Sequence, residues 1–170
     1  MRKLNAPSAL KFCLAAGNLA TPAMGGRVRL TLENGTDLFT GYIVATPTFQ
    51  YLGQSSEGAV YKYEVEALSD VMLMDQKAPP AHPPFVDRSA GSAFDQLTAE
   101  ALPGWFDTSG VESGDAIPYY SVNPAKTWTA SAEEIALSAR CSYRDDNGKL
   151  LFAPLGTNTY ALAELSLIHI

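Results

Sequence analysis

Between Arg27 and Glu33, apolar and polar residues alternate without a break. Val28, Leu30 and Leu32 fall between Arg27, Arg29, Thr31 and Glu33. A period of two occurs only in extended backbone, so the segment reads as a strand with one dry and one wet face. It runs into Asn34-Gly35, the strongest short hairpin signal. A return strand is expected over residues 38–45, with Gly41 marking a bulge or a close backbone approach. Alternation recurs at residues 9–16, where Leu10, Phe12, Leu14 and Ala16 share a face. It recurs again at 60–68, where Tyr61, Tyr63, Val65 and Ala67 oppose Lys62, Glu64 and Glu66. Residues 49–52 continue the sheet and 54–58 form a polar turn. No helical pattern separates these strands. The expectation is an antiparallel meander, closed or partly closed into a small barrel.

The pattern changes after residue 70. Residues 70–74 suit a short helical turn. Pro79, Pro80, Pro83 and Pro84 then bracket Ala81-His82, which favours an extended linker. Ser89 is placed to cap a helix over 90–102 with Phe94, Leu97 and Ala101 on one side, ended by Pro103-Gly104. Ser131 and Glu134 have capping-box spacing, which starts a second helix with Ile135, Ala139 and Cys141 as its buried stripe. Trp105-Phe106 and Trp128 read as staples between helices and sheet. A strand is expected at 117–122, a turn at 145–148 and a strand at 150–153. A final strand is expected at 160–167. The fold class is therefore α+β: a barrel-like meander over 8–75, a proline-rich linker over 76–88, and an α+β segment over 89–167 with two helices and a terminal strand pair.

Charge narrows the partner classes. Twelve basic residues face eighteen acidic ones, a net charge of −6. A nucleic-acid binder needs a concentrated basic patch, so none is expected as a partner. Residues 1–40 nevertheless hold five basic and two acidic side chains, against seven and sixteen in the remaining 130. That asymmetry suits head-to-tail contact between copies. No apolar run is long enough to span a bilayer, so membrane insertion is not expected. Cys13 and Cys141 sit in apolar patterns and read as buried free thiols.

Little in the chain points to chemistry. His82 and His169, the only histidines, have no partner ligand at a motif spacing, so no metal is expected. Setting Gly148 as the sixth position of a calcium loop places Tyr143 first and Pro154 twelfth, and both fail. Ser8, Ser89, Ser131 and Cys141 lack a nucleophile elbow. Glu133-Glu134 is explained by the helix start. Asp107, Glu112 and Asp115 share a Gly/Ser-rich loop and supply the one hydrolase reading, which ranks last. No catalytic residue, cofactor site or metal site is assigned. Tyr42, Tyr51, Tyr61, Tyr63, Tyr119 and Tyr120 suit either sheet core or a stacking surface for a small ligand or carbohydrate.

Four stretches together resemble the hub proteins of bacteriophage tail baseplates and of related contractile injection machines. Residues 26–43 are similar to that family's strand, turn and return strand, the last carrying Phe39, Gly41 and Ile43. Residues 61–70, ending Glu66-Ala67-Leu68-Ser69-Asp70, resemble the barrel strand leading into its short helix. Residues 89–97 resemble the helix after the linker. Residues 128–154 follow with a helix, Tyr143-Arg144, the Asp-Asp-Asn-Gly turn and Leu151-Phe152. The resemblance covers about residues 8–164 and corresponds to the family's N-terminal part, because members are usually longer, with strands completing a second barrel. It implies a structural, non-enzymatic prophage or phage tail component that joins tube to spike. It further implies self-association, best as a trimer, contacts with other tail proteins, and a place in the virion tail after assembly in the bacterial cytoplasm. Phe39, Gly41, Leu151 and Phe152 would then be architectural. The alternative is a small-ligand or carbohydrate-binding barrel.

Overall fold

The computed structural model describes residues 5–17 and 20–157. Five strands make the first sheet: β1 (Ala9–Gly17), β2 (Arg27–Thr31), β3 (Asp37–Ile43), β4 (Thr48–Ser55) and β5 (Gly58–Ser69). All pairings in it are antiparallel, and β5 is the hub. β1 lies along one edge of β5, from Ala9 opposite Leu68 to Gly17 opposite Val60. The other edge is divided. β3 takes Ala67–Ser69, and β4 takes the stretch from Gly58 to Glu64. β2 then hangs on β3.

This arrangement corrects the closed-barrel expectation. Sequential hairpins fix which strands pair locally but not whether the outer strands meet. Here two strands share one edge of β5, and the outer edges of β1, β2 and β4 pair with no other strand of the described residues. The sheet is open.

Gly41 is a close approach and not a bulge. A Cβ there would lie 2.1 Å from the Leu68 carbonyl oxygen, so β3 reaches β5 only because that side chain is absent. The bulge lies further along β3, at Leu38, which is skipped between the pairs Leu30–Phe39 and Thr31–Asp37. Asn34-Gly35 lies in a wider loop closed by Leu32 N donating to the Thr36 carbonyl at 2.8 Å. The tight two-residue turn is instead Asn147-Gly148, where φ is +59° and +88°. Both positive values match the hairpin turn that follows strand twist.

The second unit begins with α1 (Met72–Asp75) and β6 (Phe85–Ser89), and continues with α2 (Ala90–Ala101), β7 (Asp107–Val111), β8 (Ala116–Tyr120), α3 (Trp128–Ser138), β9 (Cys141–Asp146) and β10 (Lys149–Pro154). The two expected helices are α2 and α3. Ser89 Oγ accepts from Ser92 N, as its cap position requires. The start of α3 lies earlier than the capping-box spacing suggests. Thr127 is the cap, accepting from Ala130 N, and Ser131 and Glu134 stand inside the helix. Residues 85–89 pair with β8 as a two-stranded ribbon. β7 falls where a Gly/Ser-rich loop was expected and runs parallel to β10, which pairs antiparallel with β9. The expected strand over 160–167 lies outside the described residues.

The core of this unit is dry. Phe94 meets Trp128, Tyr143 and Phe152 with ring centroids 5.6, 5.5 and 4.7 Å away. Trp128 is 0% exposed, and its indole N–H donates to Thr98 Oγ1 at 3.3 Å. From inside the core it joins the start of α3 to α2 and to β9, packing on Phe94 and Tyr143. Val71 and Met74 of the α1 region join the same cluster. Trp105, by contrast, is exposed. The arrangement is α+β, without barrel closure.

Candidate assembly surface

Cross-strand partners in a sheet share a face, so the registers sort every side chain. One face of the first sheet holds Leu10, Phe12 and Leu14 of β1, opposite Ala67, Val65 and Tyr63 of β5. Ile43 of β3 continues it beside Ala67, and Val28 and Leu30 of β2 continue it beside Gly41 and Phe39. Phe49 and Tyr51 of β4 complete it opposite Tyr63 and Tyr61. Apart from Ser69, opposite Gly41, these positions are apolar or aromatic. Part of the face is covered: Ala67 and Phe39 are buried, and Ile43, Tyr63 and Val65 form a small buried cluster edged by Phe12, Leu14, Val28 and Tyr61.

Two stretches of the face are open, one on β4 and one on the β2–β3 hairpin. Phe49 is 68% and Tyr51 56% exposed, and together they form an aromatic ladder with Tyr61 and Tyr63. In the second stretch Leu30 is 43% exposed, with Leu32 and Leu38 exposed in the same hairpin. The apolar face expected of the β2 alternation therefore exists, but the described residues do not cover all of it. Covering one such side chain is worth about 1.5–3 kcal/mol.

The opposite face is charged and internally paired. Lys11 meets Glu66 at 3.2 Å, Lys62 meets Glu64 at 3.2 Å, and Arg29 meets Asp37 at 2.7 Å. The Arg29 guanidinium holds the Asp37 carboxyl below the usual carboxylate range. Arg27 bonds Asp70 at 2.9 Å and stacks over Tyr42. A cleft of about 360 Å³ beside this face is lined by Lys11, Cys13, Glu64, Glu66 and residues 45–48. Its charged groups are already paired, so nothing in it is poised to act on a ligand.

The six tyrosines do not form one stacking surface. Tyr51, Tyr61 and Tyr63 belong to the ladder. Tyr42 lies across the sheet with Arg27. Tyr119 is exposed on β8 opposite Val86. Tyr120 donates to Glu134 Oε2 at 3.1 Å, and burial pushes its phenol up. Glu134 is bound mainly by Lys126, which holds its carboxyl low.

The remaining chemical candidates are dispersed or engaged. Asp107 opens β7, Glu112 follows that strand, and Asp115 precedes β8. The Ser109 N–H donates to Asp107 and holds its carboxyl below the ordinary range, so it is a fixed acceptor. The Asp115 carbonyl accepts from Ala90 N and the Ser113 carbonyl from Gly91 N. Those bonds occupy the first amides of α2, although a polar cleft of about 240 Å³ lies there. His82 stacks on Phe85 at 4.3 Å and bonds Gln96. Cys141 is buried, which raises its thiol, while Cys13 is exposed, a correction to the expectation of two buried thiols. Among the described residues no group of three or more His, Cys, Asp or Glu could hold a metal ion. His169 lies outside them. No helix of the described residues is long and apolar enough to cross a membrane.

Of the open residues, the sequence reading named Tyr51 in its stacking alternative but missed Phe49 and Leu30 as a surface. The available signal was the Phe49-Gln-Tyr51 alternation just after Pro47, which marks an aromatic strand at an edge.

By sequence, no protein-family model and no curated protein matches the chain. By fold, it matches solved tail proteins. The 43 kDa tail protein of prophage MuSo2 from Shewanella oneidensis superposes with a TM-score of 0.63 at 12% identity, over 85% of this chain and 44% of that one. The tail protein from Neisseria meningitidis MC58 gives 0.59 at 14% identity, over 86% and 41%. An Escherichia coli component of the type VI secretion system, described as structurally similar to the bacteriophage T4 tail proteins gp27 and gp5, gives 0.51 at 12%, over 89% and 42%. The chain spans less than half the length of each. Its fold is that of tail proteins, as the resemblance in its sequence implied.

Proposed function

We propose that this chain is a structural assembly module of a phage or prophage tail, a hub component between tail tube and spike with no catalytic role. The observation that carries the reading is one fold shared over 85–89% of the chain with tail and secretion-system proteins at 12–14% identity. Fold alone does not fix function, so the reading rests on fold analogy together with the exposed sheet face. The apolar, half-covered sheet face supplies the contact.

The parts divide close to the expected bounds, as a sheet unit that ends with β5 and an α+β unit that takes in α1 and β6 along with the elements after residue 89. Self-association is threefold. Leu30 on β2 and Phe49 on β4 lie in separate open stretches, so the face offers two different patches. A twofold interface uses one patch against itself, whereas two patches favour head-to-tail closure, for which three is the smallest ring. The basic first 40 residues and acidic remainder support that polarity. Other tail proteins bind the assembled ring, which forms in the bacterial cytoplasm and ends in the virion tail.

The test is location. Antibody raised to this chain is expected to label one end of tail particles purified from a bacterium carrying the gene. Particles complete in tube and spike but free of the chain would overturn the reading.

A further inference from the structure

The tip of the β9–β10 hairpin reaches out of its own unit and docks on the first sheet. Asn147 Nδ2 donates to the Asp37 carbonyl of β3 at 2.7 Å. Beside it, Ser69 N donates to the Ser8 carbonyl at 2.9 Å, and Ser8 N returns a bond to Ser69 Oγ at 3.0 Å. Ser8, Thr40, Ser69, Asp70 and Asp145 are all buried here. So dense a group of buried polar side chains is costly unless each is satisfied. They are not all satisfied. Ser8 Oγ and Asp70 Oδ1 make no hydrogen bond, although their residues are only 5% and 7% exposed. A cavity of about 20 Å³ lies between Ser8, Phe39, Thr40, Ser69, Asp145 and Asn147.

The charge balance of the joint is incomplete. Asp70 Oδ2 receives Arg27 Nη2 at 2.9 Å and Thr40 Oγ1 at 3.0 Å. Asp145 accepts from a neutral donor, Gly148 N at 3.0 Å, and Ser69 lines the same cavity. The charged groups around it are Asp70 at the end of β5 and Asp146 on its own strand, while the Asp37 carboxylate at the start of β3 is held by Arg29 and Thr31. Arg27 and Arg29 of β2 are already bonded to Asp70 and Asp37. Lys149 of β10 stands opposite Asp146 in the hairpin register. No cation bonds Asp145 among the described residues. When ionised, it is a buried negative charge facing a second carboxylate.

We propose that this joint is a proton-binding site, and that loss of the proton from Asp145 loosens the hairpin tip from the first sheet. The proton removes the uncompensated charge. It also supplies a donor to a pocket where the Ser8 oxygen has no partner. On ionisation the proton leaves to solvent, and Asp145 repels Asp70 across the joint. Burial pushes the Asp145 carboxyl up, and the charges of Asp70 and Asp146 push it further. An acid raised in the folded state binds its proton more tightly there than in the unfolded chain. Its contribution to stability is therefore complete in acid and is lost as pH rises from the ordinary carboxylate range through the folded value. The inference does not depend on the tail role proposed above.

Three measurements test it on the full chain. Carboxyl carbon shifts of Asp145 in the unmodified protein should titrate with a midpoint above the ordinary aspartate value of about 3.9. A midpoint at or below that value would overturn the proposal. Asp145→Asn keeps the acceptor for Gly148 N and replaces the proton with a neutral amide donor. Its melting temperature should match the unmodified protein near pH 4 and exceed it near pH 7.5, by about 2–4 °C for each kcal/mol relieved. A difference that is constant across pH, or a loss at pH 7.5, would contradict the inference. Exchanging sodium for choline at fixed ionic strength should leave both melting curves unchanged. Stabilisation by sodium that Asp145→Asn abolishes would replace the proton with a small cation.

Discussion

The two units of this chain treat their apolar residues in opposite ways. The α+β unit wraps Phe94, Trp128, Tyr143 and Phe152 around one another until none is more than 1% exposed. The sheet unit sets an equally apolar face along five strands and leaves Phe49, Tyr51 and Leu30 in water. The difference lies in what covers each face. Two helices and a three-stranded sheet enclose the first core, whereas no helix of the described residues is placed among the residues of the second. A sheet needs a second layer to bury its apolar face. Among the described residues the sheet has that layer over only part of its face. One unit closes its own core, and the other leaves apolar side chains exposed.

Substitutions can break this contrast, and Trp128→Ala should act most strongly. It removes the largest fully buried side chain. A loss of about 3–5 kcal/mol is expected, read as a fall in denaturant midpoint. A loss under 1 kcal/mol would show that the α+β core is not closed. Gly41→Ala comes next. Its Cβ cannot coexist with the Leu68 carbonyl oxygen, so β3 must shift off β5 at a cost of about 1–3 kcal/mol. Hydrogen exchange should show amides of β2 and β3 losing protection while those of α2 and α3 keep theirs. Uniform loss across both units would mean that they unfold as one.

Thr127→Ala sharpens the contrast from the helical side. Loss of the α3 cap should cost about 1 kcal/mol, while Ser131→Ala should not show a capping loss because Ser131 is inside the helix. Equal capping losses at both sites, seen as fraying of the first turn, would restore the capping-box reading. The smallest effect on stability is expected from Phe49→Gln and Leu30→Gln, within about 0.5 kcal/mol, because both side chains are exposed. Any large change would mean that those side chains are already packed.

How far the sequence disclosed this molecule depended on the range of each signal. Strands β1, β2, β3 and β5 were legible because alternation is local and strong. Helix α2 was legible because Ser89 and Pro103-Gly104 punctuate it. The start of α3 was obscured by two hydroxyl residues, Thr127 and Ser131, either of which is a competent cap in isolation. β7 was illegible because Asp107-Thr-Ser-Gly-Val111 has few strand formers, and its partner β10 is remote in sequence. Barrel closure was misjudged for the same reason: whether outer strands meet is a long-range matter. The assembly surface was half legible. Alternation identified the apolar face, but only the registers located the uncovered stretches. The buried joint at Asp145 was hidden entirely, because a turn sequence does not reveal that its acid docks on another unit.

The central claim is that the uncovered stretches of the sheet face are where copies of this chain meet. Light scattering across a wide concentration range tests it directly, on the unmodified chain and on the Phe49→Gln, Leu30→Gln double variant. The unmodified chain is predicted to pass from 18.2 kDa toward three times that mass as concentration rises, while the variant stays at 18.2 kDa with an unchanged melting temperature. A single 18.2 kDa species at every concentration and low salt, or a variant that associates as well as its parent, would contradict the account.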